Sequence, residues 1–283
     1  MLANVTRTME KIAPIQLAEA WDNVGLLIET AAVNKKSKSV FLTIDLTNKV
    51  LNECLQYPDV GLIISYHPPL FSSFKRLTMK DPKQAIAIRC ISQGISVYSP
   101  HTALDSCKSG INDWLGKKLG SGTLKFITPV KENVLKNLTE LNYLRENEAE
   151  LVGSGRILTL DNSVSLNELV AKVKEGLKLK HVRVAPKDSD LDLIKTVAIC
   201  AGSGASVLLP VKADLYLTGE MSHHEVLAAN ANGTSVVLCE HSNTERGYLT
   251  EVLKPKLLEL FKNDKLDYNV IVSEVDNDPL SIY

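Results

Sequence analysis

His101 and Asp105 stand four residues apart in "HTALD", and His241 and Glu245 stand four apart in "HSNTE". Where such a segment turns helical, that spacing brings imidazole and carboxylate onto one face. The combination suits divalent Zn, Mn, Fe, Co or Ni better than Ca or Mg. One pair alone reads as readily as a cap or a surface ion pair. Two pairs at matching places in the chain shift that balance, because each follows a β-rich run directly.

The other histidines follow the same rule. In "LIISYHPPLF" (62–71), His67 comes straight after an apolar run and before Pro68 and Pro69. Neither proline can donate to a ladder, so the strand should end near Ser65 or Tyr66, with His67 at its tip. His223 and His224 follow "DLYLTGE". Five of the six histidines therefore sit at strand exits or soon after, His181 being the exception. Ligands of open α/β sheets gather beyond the carboxyl ends of the strands. A metal site shared by two halves of the chain is the expectation.

The elements that must position these residues alternate. "SVFLTI" (39–44), "GLIIS" (61–65) and "ISVYS" (95–99) are short β-rich runs with helical periodicity between them. The rhythm returns in "TVAIC" (196–200), "LYLT" (215–218) and "SVVLC" (235–239). This is βαβ alternation, which predicts an α/β fold with mostly parallel sheets. The two stretches also resemble each other. "KSVFLTIDLTNKVL" aligns with "KTVAICAGSGASVL", "DVGLIISYHPP" with "ADLYLTGEMSHH", and "GISVYSPHTALD" with "GTSVVLCEHSNTE". A duplicated half explains a histidine recurring at equivalent exits. The boundaries expected are a first α/β lobe over 1–126, a middle α+β segment over 127–195, and a second lobe over 196–283. The middle holds a charged helix over 131–150, the turn "GSGR", the strand "RILTL" and a second helix. Leu2, Val5, Met9 and Ile12 mark an N-terminal helix, and another runs over 243–260 before a last strand, "YNVIVSE".

Composition removes several classes of function. With 283 residues, 45% hydrophobic and 23% charged, the chain is an ordinary globular protein. Its 32 basic and 33 acidic side chains give a net charge of −1, so no global field favours nucleic acid. Lysine runs lie at 34–38 and 172–184; the second has helical spacing at its start and reads as a solvated helix face rather than a binding patch. No apolar run reaches membrane-spanning length. Five cysteines without paired spacing fit a reducing compartment, the cytoplasm by default. An amphipathic N-terminus keeps mitochondrial import open.

Weaker features have plain alternatives. "AGSGAS" (201–206) could cradle an anion with its amides, or simply make a tight turn. Cys200 and Cys239 sit at strand ends, where packing is the commoner role. Asp22 and Asn23 read as turn residues. Trp21 and Trp114 read as core residues.

Taken in order, "AEAWDNVGLLIE", "ISYHPPLF", "HTALD", "GSGRI", "AGSGAS", "DLYLTGE" and "EHSNTERGYL" resemble the NIF-three-like family (NGG-one-interacting factor three, also called GTP cyclohydrolase type-two-like). The resemblance runs from about Val5 to beyond Tyr248. It implies two interlinked, pseudo-duplicated α/β lobes, a dinuclear metal centre between them, and a homo-oligomer, often a ring-shaped hexamer. The implied metal ligands are His67, Asp105, His241 and Glu245, with Glu245 bridging. His101 and His223 lie nearby as candidate catalytic groups. Many members read His-His-Pro where this chain reads Tyr66-His67-Pro68. That departure leaves the second ion open: Tyr66 could give a phenolate, hold a water, or weaken the position.

Two functions follow. One is a metal-dependent hydrolase with one or two transition-metal ions per chain, acting on a nucleotide or another phosphorylated small molecule. The other is a metal-binding adaptor working through protein partners, with a role in transcriptional regulation implied by the family name, and without direct contact to nucleic acid or membrane.

Overall fold

The structure, a computed structural model, describes residues 1–31, 37–141, 143, 151–187 and 193–282. Most of the lysine run at 34–38 and the last part of the charged segment over 131–150 lie outside the described residues. The chain divides into two compact units, Met1–Leu104 with Tyr248–Asn277, and Asp105–Gly247 with Asp278–Tyr283.

The first unit begins with helix α1 (Leu2–Ile12), whose buried side is Val5, Thr8, Met9 and Ile12. Its strands are β1 (Gly25–Ile28), β2 (Ser39–Thr43), β3 (Val60–Ser65) and β4 (Ser96–Ser99). Helix α2 (Asn48–Cys54) joins β2 to β3, and α3 (Pro82–Ser92) joins β3 to β4. Every residue of β2 and β4 is buried. Unbroken apolar burial is what a parallel sheet covered on both faces requires. Accordingly β2, β3 and β4 pair in parallel, and β1 pairs antiparallel to β4 at one edge.

Helix starts are set locally. The Thr47 hydroxyl accepts from Val50 N at the head of α2. Asp81 accepts from Gln84 N at the head of α3, with Pro82 in the first turn. A side-chain acceptor satisfies an otherwise orphaned amide, and proline at that position forfeits no helical bond. Phe41, Ile63 and Val97 from the strands pack with Val50, Leu51, Cys54, Ile86 and Cys90 from these helices. Each such side chain, fully buried, contributes on the order of 1.5–3 kcal/mol. Strand β3 stops at Ser65, as its prolines demand, and Tyr66 N and His67 N still donate to the carbonyls of Thr43 and Ile44.

After β4 come α4 (His101–Ser106) and α5 (Ile111–Leu119), then β5 (Gly122–Pro129), α6 (Glu132–Glu140), β6 (Gly153–Ser165) and α7 (Leu166–Leu177). Strand β7 (Arg183–Ala185), β8 (Leu193–Ser203), the single turn α8 (Ala205–Leu208), β9 (Leu215–Glu220), α9 (His223–Ala231) and β10 (Ser235–Leu238) follow. The second unit's sheet has the order β5-β6-β8-β9-β10-β7. Its centre, β8, β9 and β10, is parallel, and the flanking pairs are antiparallel. Thus β8-α8-β9-α9-β10 repeats the connectivity of β2-α2-β3-α3-β4, the topology that a duplicated half predicts.

The turn "GSGR" has a structural purpose in this unit. Arg156, 2% exposed, ion-pairs with Asp113 and donates to the carbonyls of Gly153, Gly155 and Cys107. A buried guanidinium needs that degree of satisfaction. Only the start of the lysine-rich stretch is a solvated helix face, Lys172 lying 3.3 Å from Glu168 one turn back on α7; after Leu177 the chain leaves the helix and enters β7 at Arg183.

Beyond β10, α10 (Arg246–Tyr248) runs through a π-helical turn (Leu249–Leu253) into α11 (Lys254–Asn263), where one helix over 243–260 was expected. Strand β11 (Asn269–Val272) then pairs in parallel with β2 and closes the first unit's sheet, whose order is β1-β4-β3-β2-β11. Among the described residues no helix is long and apolar enough to cross a membrane.

Candidate metal centre

Three strand-exit histidines share one device. In the first unit, His67 Nδ1 lies 2.9 Å from Asp45 Oδ1. His101 Nδ1 lies 2.7 Å from Asp22 Oδ1. In the second unit, His241 Nδ1 lies 2.8 Å from Glu220 Oε1. A carboxylate on Nδ1 fixes the ring's orientation and favours the tautomer whose Nε2 lone pair faces outward, which is how metal-ligating and proton-transferring histidines are prepared.

Around His101 the arrangement is tight. Asp22 also accepts from the Thr102 amide at 3.1 Å and from the Thr102 hydroxyl. Burial pushes the Asp22 carboxyl up, but the hydrogen bonds from His101 and Thr102 and the imidazole's charge outweigh it and hold the group below the usual carboxylate range. His101 takes a left-handed backbone, φ 31°, rare for a non-glycine residue and found where surrounding structure enforces it. Tyr66 is 2% exposed. Its ring centroid is 5.0 Å from that of His67 and 5.4 Å from that of His101, and the two imidazoles are themselves 5.4 Å apart. The Tyr66 carbonyl accepts from Ser99 Oγ. Tyr66 therefore packs as a buried ring against both histidines, the three rings forming a near-equilateral triangle.

In the second unit, His241 Nε2 lies 3.6 Å from Glu245 Oε1, the pair its spacing predicts, although the segment is a 3-10 turn (Ser242–Thr244). Glu245 is 1% exposed. The backbone of the β8 exit presses on both groups. At Gly202, φ +63°, an added Cβ would come 2.8 Å from Glu245 Oε1 and 2.9 Å from His241 Nε2. At Gly219, a Cβ would come 2.7 Å from His241 Cα. Glycine is needed at both places for the strand ends to reach the histidine. Gly202 N donates to Thr244 Oγ1, whose hydroxyl donates to the His241 carbonyl. Asn112 is buried on α5; its amide nitrogen donates to the Asp105 carbonyl and its oxygen accepts from Ala201 N. Asp105, on α4, is half-buried. Just before His241, Glu240 holds φ 65° and is gripped by Arg183, Nε to Oε1 at 2.8 Å and Nη2 to Oε2 at 3.2 Å.

Several expectations change. Asp22 is the orienting partner of His101 rather than a plain turn residue. Trp21 is 62% exposed, not a core residue, whereas Trp114 is buried as expected. Asp22, its neighbour, takes the buried position instead. The amides of "AGSGAS" are largely engaged within the protein: Gly202 N and Gly204 N both donate to threonine hydroxyls, and α8 is a single turn, so an anion cradle is not formed there. Cys239 is buried, with its thiol pushed up to about 12 by burial and the neighbouring Glu240. His223 stands at the start of α9 beside His224, ring centroids 5.3 Å apart, in a cavity of about 260 Å³ that Arg183, Met221 and Leu238 also line.

The donors fit a divalent transition metal. Imidazole nitrogens oriented through Nδ1 and a buried carboxylate are the ligand types such ions take. An α/β protein with a carboxylate-backed histidine at each of three strand exits is thus the class that fold and site define. Comparison makes the assignment specific: the chain belongs to the Duf34/NIF3 (NGG1p interacting factor 3) family, whose profile matches residues 1–279. It is 44% identical over 282 residues to the protein NIF3 homolog of Schizosaccharomyces pombe, covering 99% of this chain and 97% of that one. It is 40% identical over 296 residues to the NGG1-interacting factor 3 of Saccharomyces cerevisiae, covering 99% and 96%. The crystal structure of a Bacillus cereus protein related to NIF3 has the same fold, with a TM-score of 0.85 at 21% identity over 99% of this chain and 98% of that one.

Proposed function

We propose that the protein is a metal-dependent hydrolase acting on a nucleotide or another phosphorylated small molecule. The observation that carries this reading is the repeated Nδ1–carboxylate pairing of His67, His101 and His241, which a purely structural histidine does not need. His67, Asp105, His241 and Glu245 are the ligands that the family resemblance implies, for one or two ions. The bound ion would supply Lewis acidity and water activation. His101 would hold or relay a proton through Nε2 while Asp22 keeps its ring in place through Nδ1. His223, in its cavity with Arg183, is the second candidate for proton transfer.

The test is metal content by elemental mass spectrometry on protein purified without chelators, with turnover of a panel of phosphorylated substrates by wild type and His241→Ala. Absent metal, or activity that survives the substitution, would sink the reading.

A second reading is an adaptor that binds metal and works through protein partners, in the homo-oligomeric, hexameric form that the resemblance implies. The name of the Saccharomyces relative records a partner interaction, and the packed Tyr66 beside His67 favours a site altered from the two-metal pattern. Pull-downs comparing wild type with an Asp105→Ala/Glu245→Ala variant discriminate: partners lost without any substrate turnover favour the adaptor.

A further inference from the structure

The turn that carries His241 and Glu245 is anchored residue by residue. Asn243 Nδ2 donates to the Cys239 carbonyl at 2.9 Å, and the Thr244 hydroxyl donates to the His241 carbonyl at 2.7 Å. Those bonds close the turn on itself and on the strand end before it. Ser242 reaches much further. It is 2% exposed, and its hydroxyl donates at 2.9 Å to Oδ2 of Asp278, 36 residues on in the sequence. The same hydroxyl oxygen accepts from Arg246 Nη2.

A guanidinium can only donate and a carboxylate can only accept, so the hydroxyl's single proton must point at Asp278. The chain therefore runs in one direction, with an ionised group at each end, where hydrogen bonds are strongest. Its placement in the sequence matters as much. Ser242 directly follows His241, and Arg246 directly follows Glu245. One carboxylate thus holds the neighbour of each candidate ligand.

Asp278 is shaped for that contact. Its other oxygen, Oδ1, accepts from the Leu280 amide at 2.9 Å, a local side-chain turn of the kind aspartate favours. Pro279 comes next and restricts the Asp278 backbone to extended conformations. Beyond it, Leu280 and Ile282 are 68% and 69% exposed, so the tail does not come here to bury apolar surface. Asp278 is also where the chain end rejoins the second unit, after Tyr248–Asn277 have run through the first. What the tail delivers to the second unit is one oriented carboxylate.

We propose that Asp278 is a positioning residue of the candidate metal centre. Through the Ser242 hydroxyl and the Arg246 guanidinium it fixes the turn that aims His241 and Glu245, so the C-terminal tail sets the site's affinity for a divalent cation. The consequence for affinity rests on the metal-binding reading above; the anchoring of the turn does not.

Two measurements on the full-length protein test it. The first is zinc affinity by chelator competition. Asp278→Ala should bind zinc about tenfold more weakly, the lower end of what losing a partner behind a metal ligand costs. Asp278→Asn keeps an oxygen acceptor for the hydroxyl and should recover most of that loss. Asp278→Ala added to Ser242→Ala should cost nothing further, because both act in one chain, whereas independent roles would multiply. The second readout needs no metal. In zinc-free protein the ring nitrogen resonances of His241, assigned with His241→Gln, should move from one tautomer toward an average in Asp278→Ala. A moved signal in a protein that binds no zinc would uphold the anchor and sink the metal reading. Unmoved ring resonances overturn the proposal whatever the zinc affinity, and so does a double variant whose losses multiply.

Discussion

His241 and Glu220 meet at the exits of neighbouring parallel strands, imidazole Nδ1 to carboxylate Oε1 at 2.8 Å. The ring is thereby turned so that Nε2 faces Glu245 at 3.6 Å. One residue before it, Glu240 sits in a left-handed conformation under the grip of Arg183. The histidine is thus held from its ring and from its backbone. Two hydrogen-bonded devices acting on one half-buried histidine hold its ring in a single orientation, which packing alone does not require.

Removing the ring's support should weaken metal binding without unfolding the protein. Glu220 is half exposed, so Glu220→Ala leaves the sheet intact. Loss of a carboxylate that orients a ligating histidine typically lowers affinity about 10–100-fold. Competition with a chromophoric chelator for zinc would measure this, with circular dichroism as the check on folding. Unchanged affinity would mean that His241 is not a ligand.

The strand exits were legible in the sequence because burial and proline write them locally. Pro68 and Pro69 end β3, and unbroken apolar runs mark the parallel strands. The repeated connectivity was legible because each half keeps its histidine after its last strand. Asp22, Asp45 and Glu220 were not, because their partners lie 79, 22 and 21 residues away. Nothing local distinguishes such a carboxylate from a turn residue. A weak signal existed for Asp22, adjacent to a tryptophan at the head of a strand, but only tertiary pairing gives it meaning. The glycines of "AGSGAS" were visible as a turn, whereas the side chains that Gly202 accommodates come from a segment about forty residues on.

Acid should act on the second unit through Asp214. Burial opposes its ionisation, yet donation from the Thr196 and Lys195 amides, the Thr196 hydroxyl and the Lys187 charge outweigh it, and the carboxyl lies below the usual range. A group depressed on folding adds stability that is complete above its unfolded value, about 3.9, and is lost as pH falls through the folded value. Asp214→Asn should therefore lower the melting temperature at pH 7 and flatten the acid side of its pH profile. Parallel curves for wild type and variant down to about pH 3 would contradict this linkage.

Thiol chemistry should report folding rather than function. Cys54 and Cys90 are buried in the first unit's core, and burial pushes both thiols up to about 12, helped at Cys54 by Cys90 and Glu53 and only partly offset at Cys90 by the Arg89 charge. Reaction with a disulfide reagent needs thiolate and access, and both are lacking. At pH 8 in native buffer these two residues should stay unmodified in peptide mapping, and both should label once denaturant is added. Prompt native labelling would show that this core opens locally.

Gly202 and Gly233 separate backbone strain from crowding at the site. Both have positive φ, +63° and +78°, but an added methyl at Gly233 would meet nothing within 4 Å, while at Gly202 it would strike Glu245 and His241. Alanine in the left-handed region costs roughly 1–2 kcal/mol of strain at either position. Gly233→Ala should lower stability by about that amount and leave zinc affinity unchanged. Gly202→Ala should lose more, because Glu245 is buried and cannot swing into solvent, and it should also weaken zinc binding by displacing the imidazole. Chemical denaturation gives the first quantity and chelator competition the second. If both variants fall equally in stability and neither affects zinc, the close approach of β8 to His241 has no part in shaping a metal site.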